Sequence, residues 1–321
     1  MAQQKPWEQK VIIFRKKFVA REEQFSVRKD TYRKVTDPET GQERQEINKI
    51  IAPVCKNYGN MDLCLIAKRS GICAECSNKV FQPLTDEWVG KHIQGNEKLV
   101  LFMLRQEGMR FAAVDFDKGS TFEDAKLLRD TAKKLGLPGY IARSTEKGYH
   151  LYFFFDDFIQ PHVFHSVMRQ LFIESGFTQR SMMQEMALPE IFPKQVTYIK
   201  NQVGNGIRVP MSEPDMRKGR NCWVDDSAIP IPFEEQWDYF DSLESVNVES
   251  MMKMLEEKGI EILHAPAGRS AEQARKQEER YKAQLERGEN PSGEKPSTSI
   301  KQYGDFWNIV GRCPAMMECV S

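Results

Sequence analysis

Along the chain, apolar positions fall into short runs separated by polar turns, and their period changes from stretch to stretch. In Leu84-Thr85-Asp86-Glu87 either Thr85 or Asp86 can cap a helix running towards His92. The apolar runs Leu99–Leu104 and Phe111–Phe116 flank the polar turn Arg105-Gln106-Glu107-Gly108, the pattern of a β-hairpin. Ser120–Leu135 has helical spacing and stops at the breaker Gly136-Leu137-Pro138-Gly139. Tyr140–Ala142 and Tyr149–Phe155 then read as strands, His162–Ser175 as a helix, and Leu188–Phe192 and Ile207–Val209 as strands. Strands and helices in this order predict an α+β domain around an antiparallel or mixed sheet.

Four regions are expected. Residues 1–82 mix basic residues with short apolar runs and form a small accessory region, and residues 83–263 form the main domain. In 264–302 the stretch Arg269–Arg287 is almost entirely Ala, Glu, Gln, Lys and Arg, a solvated helix, and Gly288–Ser299 reads as a flexible linker. Residues 303–321 turn apolar again, as at the start of a further domain. No internal repeat is visible.

At 40% hydrophobic, 10% aromatic and 29% charged residues, neither a wholly disordered chain nor a membrane protein fits. The polar opening MAQQKPWEQK lacks the apolar stretch of a signal peptide, so a reducing cytoplasm is expected and a disulfide framework for the seven cysteines is not. The 46 basic and 46 acidic residues cancel, but residues 1–80 carry 16 Lys and Arg against 10 Asp and Glu. The next eighty carry 11 against 12, as expected if carboxylates there await metal cations.

The chemistry concentrates in Phe111-Ala112-Ala113-Val114-Asp115-Phe116-Asp117. On a strand Asp115 and Asp117 share one face, while Val114 and Phe116 take the other. Two neighbouring carboxylates repel unless a cation lies between them, and oxygen ligands suit Mg²⁺ or Mn²⁺. The bland reading is a strand end running into a loop. Further on, Arg143-Ser144-Thr145-Glu146-Lys147-Gly148-Tyr149-His150 places a turn before a strongly β-prone strand. Arg143, Ser144, Lys147 and His150 are all donors that together suit a triphosphate, with His150 a phosphate ligand rather than a general base.

With these motifs in order, the sequence resembles the archaeo-eukaryotic primase superfamily, the primase-polymerases: Asp115-Phe116-Asp117 resembles its first motif and Ser144 through His150 its second. The likeness is closer to the primases of TOTE-type conflict systems and to CRISPR-associated primase-polymerases. It extends over Phe81-Gln82-Pro83-Leu84-Thr85-Asp86, Phe192-Pro193-Lys194-Gln195, Gly204-Asn205-Gly206-Ile207-Arg208-Val209-Pro210 and Trp223-Val224-Asp225-Asp226. The resemblance implies an RRM-like catalytic sheet with a flanking α/β unit, and template-directed nucleotidyl transfer by two metal ions. It implies a single-stranded DNA template, a primer, ribo- or deoxynucleoside triphosphates, and partners among replication or CRISPR-adaptation proteins of a prokaryote, phage or mobile element. Asp115, Asp117 and a third carboxylate would hold the metals; Arg143, Ser144, Lys147, Gly148, His150, Asn205 and Arg208 would contact the nucleotide. Related sequences often carry Asp after the FPxQ run, where this one has Val196, so Glu190 is the candidate third carboxylate and Glu185 the reserve.

Cys55, Cys64, Cys73 and Cys76 can hold one structural Zn²⁺, the last two as Cys-x-x-Cys beside Lys56, Lys68 and Arg69, which would grip a nucleic-acid backbone; the alternative is free buried thiols. Cys222 reads as a small buried apolar residue, and Cys313-Pro314, with Cys319 nearby, resembles the opening of an accessory domain. Trp223, Trp237, Phe153–Phe155 and the methionines Met182, Met183 and Met186 are expected in the core. Two other functions fit parts of the pattern: a degenerate primase-like module that only binds nucleic acid, and a metal-dependent nuclease.

Overall fold

The computed structural model describes residues 5–36, 41–65, 76–77, 80–117, 119–144, 148–196, 198 and 204–262. The expected charged helix, linker and closing segment lie outside these residues, as do Lys68, Arg69, Cys73, Lys147, Cys313 and Cys319. In chain order the elements are α1 (Trp7–Lys17), β1 (Ser26–Thr36), β2 (Glu43–Pro53), α2 (Asp86–Ile93), β3 (Leu99–Leu101), β4 (Met109–Phe116), α3 (Phe122–Lys134), β5 (Tyr140–Arg143), β6 (Tyr149–Ile159), α4 (Pro161–Glu174), α5 (Phe177–Met182), β7 (Glu190–Phe192), β8 (Ile207–Arg208), α6 (Glu213–Met216), β9 (Cys222–Trp223), α7 (Gln236–Ser242) and α8 (Val248–Glu257). The class is α+β, with two antiparallel sheets: four strands in the order β2-β1-β3-β8, and five in the order β7-β4-β6-β5-β9. Among the described residues no helix is long and apolar enough to cross a membrane.

The five-stranded sheet is buried on both faces, which is why β4 and β6 read as near-continuous apolar runs. On one face Phe153 and Phe155 pack edge-on against Phe164 of α4, and Tyr149 against Phe122 of α3. On the other, Tyr152, Phe154 and Trp223 join Phe18, which follows α1, and Phe240 of α7. The expected core residues Phe153, Phe154, Phe155, Trp223, Trp237 and Cys222 are buried, and burial pushes the Cys222 thiol up to about 11. Helix α3 starts with a capping box, Thr121 and Asp124 each accepting the other's backbone N–H.

Three expectations change. The runs on either side of Arg105–Gly108 do not pair with each other: β3 belongs to the four-stranded sheet and β4 to the five-stranded one. The turn itself forms, with Arg105 and Gly108 exchanging backbone hydrogen bonds, but it hands the chain from one sheet to the other. Gly108 sits at φ +127°, and a Cβ there would come within 2.4 Å of the Ile159 carbonyl oxygen. Met182 and Met183 are exposed rather than in the core, because α5 buries only Phe177. Finally, α1 and β1, expected in an accessory region, share the main core: β1 pairs with β3, and Val11, Ile13 and Phe14 are buried. Lys10 and Lys17 disguise this helix in the sequence. Both are buried, Lys10 bonding Glu213 at 2.5 Å and Lys17 donating to the Leu243 carbonyl.

Candidate active site

Strand register builds the site. In β4, Asp115 lies directly opposite His150 of β6 on one side and Glu190 of β7 on the other. Residues opposite each other in antiparallel strands share a face, so Glu190, Asp115 and His150 form a row across three adjacent strands. Asp117, two residues beyond Asp115 and just past the end of β4, is exposed. Glu185, the reserve carboxylate, lies exposed in the turn after α5, outside the sheet.

Each member of the row has a partner. His150 Nε2 lies 3.2 Å from Asp115 Oδ1, and Lys194 Nζ is 2.7 Å from Glu190 Oε2. His150 Nδ1 is 3.1 Å from the Tyr152 hydroxyl, which donates at 3.1 Å to the backbone carbonyl of Arg208. Arg208 in turn binds Asp215 at 2.8 Å. Tyr152 is fully buried, and burial, followed by the Asp115 charge, raises its pKa well above the usual phenol value, keeping it a neutral phenol.

The turn before β6 is closed by the Ser144 backbone N–H donating to the Gly148 carbonyl at 2.9 Å and by the Gly148 N–H donating to Ser144 Oγ at 3.2 Å. A Cβ at Gly148 would come 2.7 Å from the Phe116 carbonyl oxygen, so glycine lets this turn lie against the end of β4. The FPKQ and GNG runs clasp each other: Gln195 Nε2 donates to Asn205 Oδ1 at 2.9 Å, and the Asn205 N–H to Gln195 Oε1 at 3.2 Å. Arg143 is not brought to the row. Its strand position faces the other side of the sheet, and its guanidinium donates to the carbonyls of Ala228 at 2.8 Å and Gly219 at 3.5 Å.

A family model described as the archaeo-eukaryotic primase domain of TOTE conflict systems matches residues 9–254. The chain belongs to this family. The primase domain thus takes in α1 and the β1–β2 hairpin, within the region that composition alone set apart. None of the curated proteins matches the chain. Among solved structures, the polymerase domain of Mycobacterium tuberculosis ligase D in complex with DNA is similar at 15% identity and a TM-score of 0.32, covering 78% of this chain and 88% of that one.

The donor set of the primase domain's row suits a divalent cation: Asp115, Asp117 and Glu190 offer hard carboxylate oxygens, and two of them face each other across a strand pair, where like charges are destabilising. In the positions adopted here, no three His, Cys, Asp or Glu side chains among the described residues are gathered as a metal-binding group. Glu190 would have to leave Lys194 to serve. Of the cysteines, Cys55 and Cys64 are buried and Cys76 is half-buried; with Cys73 outside the described residues, the zinc reading keeps only the spacing that suggested it. Sequence reasoning missed Tyr152, Lys194 and Asp215. Tyr152 was legible as the residue two beyond His150 on the same strand face, whereas nothing local links Asp215 to Arg208.

Proposed function

We propose that this chain is a primase-polymerase that extends or starts a strand on single-stranded DNA from nucleoside triphosphates. The observation that carries the reading is the row Glu190–Asp115–His150 in register across β7, β4 and β6, with Asp117 at the exit of β4. Family membership supports nucleotidyl transfer as the reaction class.

In that reaction a 3′-hydroxyl attacks the α-phosphate, a new P–O bond forms and pyrophosphate leaves. Asp115, Asp117 and Glu190 would hold the divalent ions, which supply Lewis-acid polarisation and neutralise charge on the phosphates. His150 donates to the triphosphate from beside Asp115, and the Ser144–Gly148 turn presents backbone and hydroxyl donors at the mouth of the same strand pair. Lys194 balances Glu190 when no cation is present and is a further donor to phosphate oxygens. Asn205 lines the approach, held by Gln195, and Arg208 acts through its backbone carbonyl and its pairing with Asp215.

The test is to incubate the chain with single-stranded DNA, Mg²⁺ or Mn²⁺ and labelled nucleotides, beside Asp115→Ala/Asp117→Ala. Products that lengthen with time, need template and vanish in the variant are expected. Absence of product with template binding retained would overturn the enzymatic reading in favour of a binding module. Strand cleavage without nucleotide would indicate a nuclease.

A further inference from the structure

The Tyr152 hydroxyl stands between two acceptors and has one hydrogen. Its oxygen lies 3.1 Å from His150 Nδ1 and 3.1 Å from the Arg208 carbonyl. A carbonyl oxygen can only accept, so the phenolic hydrogen is committed to Arg208. The phenol oxygen is then an acceptor towards the imidazole, and the contact at Nδ1 is a hydrogen bond only if Nδ1 carries the hydrogen. That leaves Nε2 as the nitrogen turned towards Asp115 Oδ1, 3.2 Å away.

The frame behind Tyr152 is rigid. Its ring stacks on Phe154 with an interplanar angle of 10° and meets Phe18 and Trp223 edge-on. The carbonyl that takes its hydrogen belongs to β8 of the other sheet, where Arg208 pairs with Asp215 at 2.8 Å and the next ordered carbonyl, that of Pro210, is held by His92 at 2.8 Å. One hydroxyl therefore ties the site strand β6 to the second sheet.

We propose that Tyr152 is a positioning residue for nucleotidyl transfer: it orients His150 and holds it in the form that donates from Nδ1, so that Nε2 is the nitrogen presented to Asp115 and to the nucleotide phosphates. The orientation stands on geometry alone, and only its use for phosphates rests on the polymerase reading. Without an acceptor at Nδ1, the neighbouring Asp115 carboxylate would draw the hydrogen of a neutral ring to Nε2. With Tyr152 in place, any hydrogen on Nε2 is a second one, so a ring that donates to phosphate carries the positive charge a triphosphate attracts.

The test reads the ring directly. In the full chain labelled with ¹⁵N-histidine, the five histidines give few enough ring signals to assign His150 by difference against His150→Ala. The wild-type Nδ1 is expected to carry a hydrogen; in Tyr152→Phe, which keeps the ring packing, it is expected to lose it. Tyr140→Phe, whose hydroxyl accepts from the Glu244 N–H, should leave the His150 signals unchanged. In the polymerase assay Tyr152→Phe should raise the nucleotide KM about tenfold with a smaller change in kcat. A wild-type Nδ1 without hydrogen, or a Tyr152→Phe spectrum identical to wild type, would overturn the proposal. If Tyr152→Phe fails to fold, the wild-type spectrum decides. If the wild type makes no product, the polymerase reading falls and the spectrum still decides the orientation.

Discussion

His92 and His165 are fully buried, and each donates from Nε2 at 2.8 Å to a proline carbonyl next to the site: Pro210, two residues past Arg208, and Pro193, which follows β7. His92 Nδ1 also accepts from the Leu99 N–H at 3.2 Å, so this ring is neutral with its hydrogen on Nε2. Burial lowers both pKa values to about 4. An unfolded histidine titrates near ~6.5. Below that value the unfolded chain binds two protons that the folded chain refuses, so the stability present above ~6.5 falls as pH drops towards about 4. Each ring accounts for about 3 kcal/mol by the bottom of that window. Urea unfolding at pH 7 and pH 4.5 should show a fall of several kcal/mol, and His92→Gln should remove about half of it. A flat profile would mean that the rings charge without leaving the fold. Because both rings hold site segments, activity should fail over the same range.

At the scale of elements, the parts of the fold legible in the sequence were those whose period is local. Helix α3, with its cap at Thr121 and its stop at Gly136, and the apolar strands β4 and β6 fall close to where spacing puts them. The Asp115 and Asp117 face followed from alternation alone. The false hairpin shows where period stops being informative: Leu99–Leu104 and Phe111–Phe116 are strand-like next to a tight turn, but partners are chosen by long-range packing, and β3 goes to β1 and β8. Register is likewise non-local, so the identity of Glu190 as Asp115's neighbour was an expectation, while Arg143's commitment to carbonyls could not be read at all. Two glycines test these crossings. Gly108→Ala meets both an unfavourable φ of +127° and the Ile159 carbonyl at 2.4 Å, and should cost about 3 kcal/mol or more in chemical denaturation. Gly148→Ala, 2.7 Å from the Phe116 carbonyl, should cost about 1–3 kcal/mol. It should also lower polymerase activity out of proportion to that loss, because the shift falls between Asp115 and His150. Equal retention of activity and stability in Gly148→Ala would show that the turn need not touch β4.

For the molecule as a whole, the decisive contact is the one that joins the first twenty residues to the site. Phe18 lies 5.2–5.7 Å, between ring centroids, from Phe111, Tyr152, Phe154 and Phe240, so it packs at once on β4, β6 and α7. The same Tyr152 ring carries the hydroxyl that bonds His150. A separate accessory region would contribute to template affinity and leave the stability of the main domain alone; a segment sharing this core contributes to both. Phe18→Ala should therefore destabilise the folded chain by about 3–5 kcal/mol. Ile12→Ala, on the same helix but 65% exposed, should stay within about 0.5 kcal/mol of wild type. Under conditions where Phe18→Ala is still folded, its nucleotide KM should rise as in Tyr152→Phe, because the cavity lets the tyrosine ring drop away from His150. Thermal unfolding followed at the tryptophans and at a label in residues 5–36 gives the check. A single coincident transition lowered in Phe18→Ala fits one core, and two independent transitions, with only the first lowered, would restore the accessory region as a unit of its own.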